Sequence, residues 1–373
     1  MLKTSLFAFL IATSASAGFA QANGNVHQPT LTPQKSGTTQ LLIAVSPVNS
    51  QVVWAAGFGG TYVVTTDGGN TWKAAVVPGA EKLQFRDVYA VSDKIAYLLS
   101  VSGASTPIPT EFRIYKTTDG GATWTIEFTN HTVNAFYDCF AFWSPTRGIA
   151  HSDSVNGVFP DLRTEDGVNW HSLAGVMPPA LTGEASFAAS GTCAATEGEG
   201  NAWIATGGSS AFGRILATTN GGGTWHAYNT PFKSSSTAGA ISVAFRDCFH
   251  GVVGGGDLLS DSSAETATSG DGGQTWTLTK KPPVAGAIFC LSYARGKLNG
   301  TGAATGHEYD RTVVITSETA KSMYGAGDAA WTPDEGQTWF TLSGVSGYWA
   351  VGFADPTAGW FVGNKGKILK ISF

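Results

Sequence analysis

Thr65-Thr66-Asp67-Gly68-Gly69-Asn70-Thr71-Trp72 comes back five times along the chain. Full-length versions run Thr117–Trp124, Thr218–Trp225, Ser269–Trp276 and Thr332–Trp339, and a shortened one runs Thr164–Trp170. The closing tryptophans, Trp72, Trp124, Trp170, Trp225, Trp276 and Trp339, fall roughly 50 residues apart, a period that marks a repeat architecture. The residue types describe a hairpin turn. Asp67 can accept hydrogen bonds from backbone N–H groups of its own turn. Gly68 and Gly69 permit the positive φ that tight hairpins need. Thr71 suits the start of a strand, and Trp72 is expected to wedge between one sheet and the next, burying roughly 150–250 Å².

The stretch resembles the Asp-box, or BNR, repeat of β-propellers. Its turn residues here are Asp67, Asp119, Asp166, Asn220, Asp271 and Asp334. Asn220 replaces the carboxylate by an amide, and the Asp166 copy is one residue short. The resemblance implies an all-β, seven-bladed propeller with these turns at outer hairpins, where the aspartates are structural.

Residues 1–20 read as a secretory signal peptide. Lys3 gives the positive start, Leu6 to Ala12 the apolar stretch, and Ala15-Ser16-Ala17 or Gly18-Phe19-Ala20 the cleavage site. No cysteine follows to carry a lipid, and no later run reaches the ~20 apolar residues of a membrane span. The expectation is a secreted or periplasmic protein with one domain over residues 21–373. Charged residues are only 13% of the chain, with 48 glycines, which suits many short strands and tight turns. Net charge is −5 without a basic cluster, which argues against nucleic acid as a partner. No nicotinamide, flavin or phosphate-binding signature is present, so no cofactor is expected. The expected state is a monomer.

Seven units can be marked. Their inner strands open at Leu41, Phe85, Phe136, near Ser186, at Ile241, at Ile288 and at Trp349. The seventh runs out at Phe373 without its fourth strand. Residues 28–37 resemble the fourth-strand segments that end in Ser-Gly, such as Phe340 to Gly344, so this N-terminal segment is expected to close the ring. Cys139, Cys193, Cys248 and Cys290 recur in consecutive units. They are either four buried thiols or disulfides of undetermined pairing. No pair has metal-ligand spacing, and no metal is expected.

In such a ring, ligands are expected where inner strands begin and where second strands turn into third strands. That rule collects Arg86, Asp87, Tyr137, Asp138, Asp153, Glu184, Tyr348 and Trp349, together with His307 and Glu308 in a cluster assigned to a second-to-third loop. Asp87, Asp138 and Glu184 could act as acid and base on a glycan. Arg86, Tyr137, Asp153, His307, Glu308, Tyr348 and Trp349 could bind the ligand. The competing reading is that the carboxylates satisfy backbone amides at strand starts. His151 and His307 read as loop histidines, with a ligand or base role as the alternative.

The mature chain resembles the photosystem II stability/assembly factor group of sialidase-like repeat proteins. Phe85-Arg86-Asp87, Arg113 to Gly121, Ala141-Phe142-Trp143, Ser186 to Thr192 and Ala244 to Asp247 carry the resemblance. It implies a module that binds an envelope or extracellular protein, or a glycan, through its loop-rich face. The alternative is a glycoside hydrolase or polysaccharide lyase. Sialidases also carry an Arg-Ile-Pro motif, for which the nearest match here is Arg113-Ile114-Tyr115. Xyloglucan-degrading propellers pair two such domains.

Overall fold

The computed structural model describes residues 28–102, 112–187, 189–208, 211–294, 311–319 and 327–373. Among them, seven antiparallel four-stranded sheets stand in a ring, as the repeat predicts. Blade 1 runs from the inner strand Leu42–Pro47 to the outer strand Lys73–Val76. Blade 2 runs from Leu83–Ala90 to Thr125–Thr129, and blade 3 from Tyr137–Phe142 to Trp170–Ser172. Blade 4 runs from Ala194–Glu197 to His226–Lys233, blade 5 from Ala238–Phe245 to Thr277–Leu278, and blade 6 from Ala287–Tyr293 to Phe340–Ser346. Second strands such as Val53–Gly57 and Ala96–Ser102 are buried at every position, because each sheet is covered on both faces by its neighbours.

Blade 7 contributes Tyr348–Asp355, Ala358–Gly363 and Lys367–Ser372, and its fourth strand is Thr30–Lys35. The closure is antiparallel, with Leu31 opposite Ile371 and Lys35 opposite Lys367. The inner strands of blades 1 and 7 pack together and complete the circle. The pairing covers the outward edge of Lys367–Ser372, which would otherwise be open.

The repeated turns lie between third and fourth strands. Thr65 Oγ1 donates to Asp67 Oδ1 at 2.8 Å and accepts from Gly69 N at 2.9 Å. Asp67 then takes Thr71 N at 2.9 Å and Thr71 Oγ1 at 2.6 Å. These donors hold the Asp67 carboxyl down to about 2, and the same set does so for Asp119. At Asn220 the amide keeps the Thr224 N bond at 2.9 Å and donates to Thr224 Oγ1 at 3.1 Å, so the turn survives the loss of charge. Gly121 has φ of +86°, and a Cβ there would lie 2.3 Å from the Tyr62 hydroxyl of the preceding blade. Tyr62 instead donates to Gly121 O at 2.8 Å, tying blade 1 to the turn of blade 2.

The turn tryptophans are not the main core anchors. Trp72, Trp124, Trp170, Trp276 and Trp339 are only partly buried, and Trp225 alone of the six is buried. The fully buried tryptophans are Trp54, Trp203, Trp331 and Trp360, on second and third strands, where sheets face each other. Trp124 packs edge-on against Trp54 at 6.3 Å, so the turn tryptophans cap the outer ends of those layers.

Blade 4 departs from the sequence expectation. Its inner strand begins at Ala194, not near Ser186. Gly191, at φ +77°, breaks the approach, and a Cβ there would meet Asp87 Oδ1 at 2.3 Å. The carboxylate of blade 2 occupies the space a regular strand would fill.

Candidate functional site

First-to-second and third-to-fourth connections lie at one end of a meandering sheet, and second-to-third and blade-to-blade connections at the other. The latter end, here called the mouth, is where site residues are expected. Most inner strands carry a β-bulge near it, at Ile43, Arg86, Asp138, Ile241, Phe289 and Trp349. A bulge adds one residue and re-aims the side chains around it. The series is charged in blades 2 and 3 and apolar in blades 1, 5, 6 and 7.

In blades 2, 3, 5 and 6 the residue after the bulge joins its blade to the next. Asp87 accepts Phe140 N at 2.9 Å and its own neighbour Val88 N at 2.7 Å. Ser242 accepts Leu291 N at 3.0 Å, and Cys290 Sγ accepts Val351 N at 3.3 Å. In blade 3 the corresponding residue is Cys139, which forms a disulfide with Cys193 of blade 4, Cα atoms 6.0 Å apart. Of the four cysteines, Cys290 is a buried thiol and Cys248 an exposed one, so uniformly buried thiols are not what the fold contains.

Asp138 is 1% exposed, its Oδ2 is buried without a hydrogen-bond partner among the described residues, and the Asp153 carboxyl is its charged neighbour. Two neighbouring carboxyls disfavour each other's ionisation. Burial and the neighbouring Asp153 push Asp138 well above its ordinary value, opposed by Arg86. Burial raises Asp153 to about 6, opposed by a hydrogen bond from Ser186 N at 2.9 Å. Arg86 donates to Gln84 Oε1 at 2.6 Å and stands 5.7 Å from the Phe58 ring centroid.

Glu184 is buried and saturated. Arg214 Nε donates to its Oε1 at 2.8 Å and Arg214 Nη2 to its Oε2. Thr206 Oγ1 and Leu181 N complete the set at 2.6 and 2.8 Å. Such a fork leaves no lone pair directed at a substrate. Arg214 was not among the residues singled out from sequence, and nothing local to it signals the pairing.

Other candidates fall elsewhere. Tyr137 is 2% exposed, and its hydroxyl donates to Pro160 O at 2.7 Å within the core, because the bulge at Asp138 sets the two side chains apart. His151 belongs to the second strand of blade 3, not to a surface loop, and its buried Nδ1 meets Asp161 at 2.9 Å. Trp349 is buried, edge-on to Phe289 at 5.3 Å. Tyr348 is partly buried, with Lys367 Nζ 5.5 Å from its ring centroid. His307 and Glu308 lie outside the described residues. The second strand of blade 6 is Val313–Glu318, so their cluster precedes that strand and does not belong to a second-to-third loop. Arg311, from the same cluster, donates to Glu335 Oε2 at 2.9 Å beside the repeated turn, at the end opposite the mouth.

The mouth loops instead expose apolar side chains. Val133, Val158, Val176, Leu181 and Leu259 lie on connections of blades 2 to 5, with Val133 72% and Leu259 70% exposed, and Phe212 opens the third strand of blade 4. Among the described residues no group of three or more His, Cys, Asp or Glu could hold a metal ion.

No protein-family model and no curated protein matches the sequence. Solved structures match in shape. YCF48 bound to a D1 peptide aligns with a TM-score of 0.60 at 18% identity, over 92% of this chain and 97% of that one. YCF48 from Cyanidioschyzon merolae aligns at 0.61 and 16%, over 92% and 98%. A GH74 xyloglucanase from Xanthomonas campestris aligns at 0.59 and 12%, over 91% of this chain but 53% of that one. At these identities the likeness is one of fold.

Proposed function

We propose that this chain is a non-enzymatic binding module that holds a polypeptide partner across the mouth of the ring. The observation that carries the reading is the contrast at that face. Its carboxylates Asp87, Asp138 and Glu184 are buried, while its loops leave Val133, Val158, Val176, Leu181 and Leu259 in solvent. An exposed apolar rim suits a protein surface. A similarly shaped propeller, YCF48, takes a D1 peptide, which supports a polypeptide ligand. The Asp-box reading of the turns fits their geometry, and their place at the opposite end leaves the mouth free.

The glycan-active alternative needs a carboxylate pair facing a cleft. Asp87, Asp138 and Glu184 are each buried. Export through residues 1–20 remains part of the proposal, and the Cys139–Cys193 disulfide supports an oxidising destination.

Two assays test the reading. Purified protein is incubated with a polysaccharide panel, where no turnover is expected. A partner isolated on the wild-type protein is then offered to a Val133→Glu/Leu259→Glu variant and to a control, Leu278→Glu, on an outer strand. Loss of binding in the mouth variant alone supports the proposal. Turnover abolished by Asp87→Asn and Asp138→Asn, or equal partner binding by all variants, rejects it.

A further inference from the structure

The seam that closes the ring carries an arrangement that stability alone does not explain. Lys35 and Lys367 sit directly opposite one another where the N-terminal strand meets the last strand. Like charges facing each other across a strand pair oppose the pairing. Lys365, two residues earlier in the hairpin of blade 7, is held at φ +54°, a left-handed conformation that a lysine rarely adopts. All three lysines are exposed, and among the described residues none has a carboxylate partner. This cationic cluster stands in a chain whose net charge is −5.

The three lysines line one groove of about 630 Å³, together with Gln34, residues 36–39 and Gly366. Its walls are preformed. A Cβ on Gly366 would come within 2.0 Å of Thr38 O, so the hairpin of blade 7 lies hard against the connection leading into blade 1. Ser36 is buried, and its Oγ donates to Thr38 O at 3.2 Å and accepts Thr38 N at 3.2 Å, fixing that connection. Both wall segments are mouth connections, so the groove opens on the face assigned above to the partner.

We propose that this groove binds an acidic segment of a polypeptide, whose carboxylates bridge Lys35, Lys365 and Lys367 and thereby clamp the ring closed. The inference rests on the reading of the mouth as a polypeptide-binding face and names the chemistry of part of the partner. Lysine ammoniums are mobile point charges that suit a run of carboxylates, where a planar single anion is better met by arginine. An open groove admits a chain passing through it. Among the described residues no aromatic side chain lines it, and the nearby Tyr348 ring is already approached by Lys367, which leaves no stacking platform there for a sugar. A bound polyanion cancels the Lys35–Lys367 repulsion, so binding and closure of the ring favour each other.

The test uses fluorescein-labelled hexaglutamate, with hexaglutamine and a heparin-derived hexasaccharide as comparison probes. Anisotropy at low and at 300 mM salt and the melting temperature are read on the full-length protein. Hexaglutamate is expected to bind the wild type, more weakly at high salt, and to raise its melting temperature. In a Lys35→Gln/Lys365→Gln/Lys367→Gln variant, binding falls at least tenfold, while the melting temperature of the unliganded variant stays level or rises. That last readout separates a ligand site from a structural role. The inference is overturned if hexaglutamine binds as well, if the triple variant binds equally, if the hexasaccharide binds tenfold tighter than the peptide, or if the unliganded variant melts several degrees lower. Should hexaglutamate fail while Val133→Glu/Leu259→Glu still abolishes partner binding, the groove assignment falls and the reading of the mouth stands. Should the triple variant alone lose hexaglutamate while the mouth variant keeps its partner, the apolar rim is the part that falls.

Discussion

Asp87 Oδ2 accepts the backbone N–H of Phe140 across the seam between blades 2 and 3, at 2.9 Å. The residue that most resembles a catalytic carboxylate from sequence is therefore a fastener. Its counterparts Ser242 and Cys290 do the same work at later seams with a hydroxyl and a sulfur. Asp87→Ala would strand a buried N–H and is expected to cost about 1–3 kcal/mol. Asp87→Asn keeps an acceptor oxygen and should cost less. Urea unfolding of both variants checks this, and equal stability of Asp87→Ala and wild type would contradict it.

The Cys139–Cys193 bond holds the seam between blades 3 and 4 and encloses a sequence separation of 54 residues. A loop of that length implies about 4 kcal/mol of stabilisation through the unfolded state. A Cys139→Ser/Cys193→Ser variant should unfold at correspondingly lower urea concentration. Reductant should lower the wild-type midpoint and leave that of the variant unchanged.

Asp138 and Asp153 make stability fall as pH rises. Both carboxyls are raised in the folded state, Asp153 to about 6. Below the ordinary value of 3.8, folded and unfolded chains are both protonated at these positions, so the pair is neutral in its effect. Between about 4 and 6 the unfolded chain ionises first, which favours unfolding. Asp67 and Asp119 act in the opposite sense, since their stabilisation is present above 3.8 and is lost as pH falls through about 2. An Asp153→Asn variant should gain on the wild type as pH is raised from 4 to 7 in thermal melts. Parallel curves would show that burial does not raise Asp153.

Much of the fold was legible because the repeated turn is a local object. Asp67, its glycines and Thr71 make their bonds within a few residues, so their spacing survives in the sequence. The closing strand was legible from its likeness to other fourth strands. The site was harder to read because its decisive contacts are remote. Glu184 lies on the connection into blade 4 and Arg214 on its third strand, Phe140 N finds Asp87 across a seam, and both Tyr137 and Asp138 are buried at the bulge. Lys35 and Lys367 become neighbours only when the ring closes. The long first-to-second connection of blade 6 carried the His307 cluster away from its expected loop because a strand count based on apolar runs has no marker for such an insertion.

Removing residues 26–37 should lower the melting temperature sharply. The segment supplies the outer strand of blade 7, and Gln34 Oε1 also accepts Trp72 Nε1 of blade 1 at 3.0 Å. An unchanged melting curve would mean that the ring does not depend on this strand.

The most direct measurement of the central claim is amide hydrogen exchange on the full-length protein, with and without the isolated partner. The account predicts protection in the mouth connections around Val133, Val158, Leu181 and Leu259 and beside Lys365. Protection confined to the repeated turns at Asp67, Asp119, Asp271 and Asp334, or no protection at either end, would contradict it.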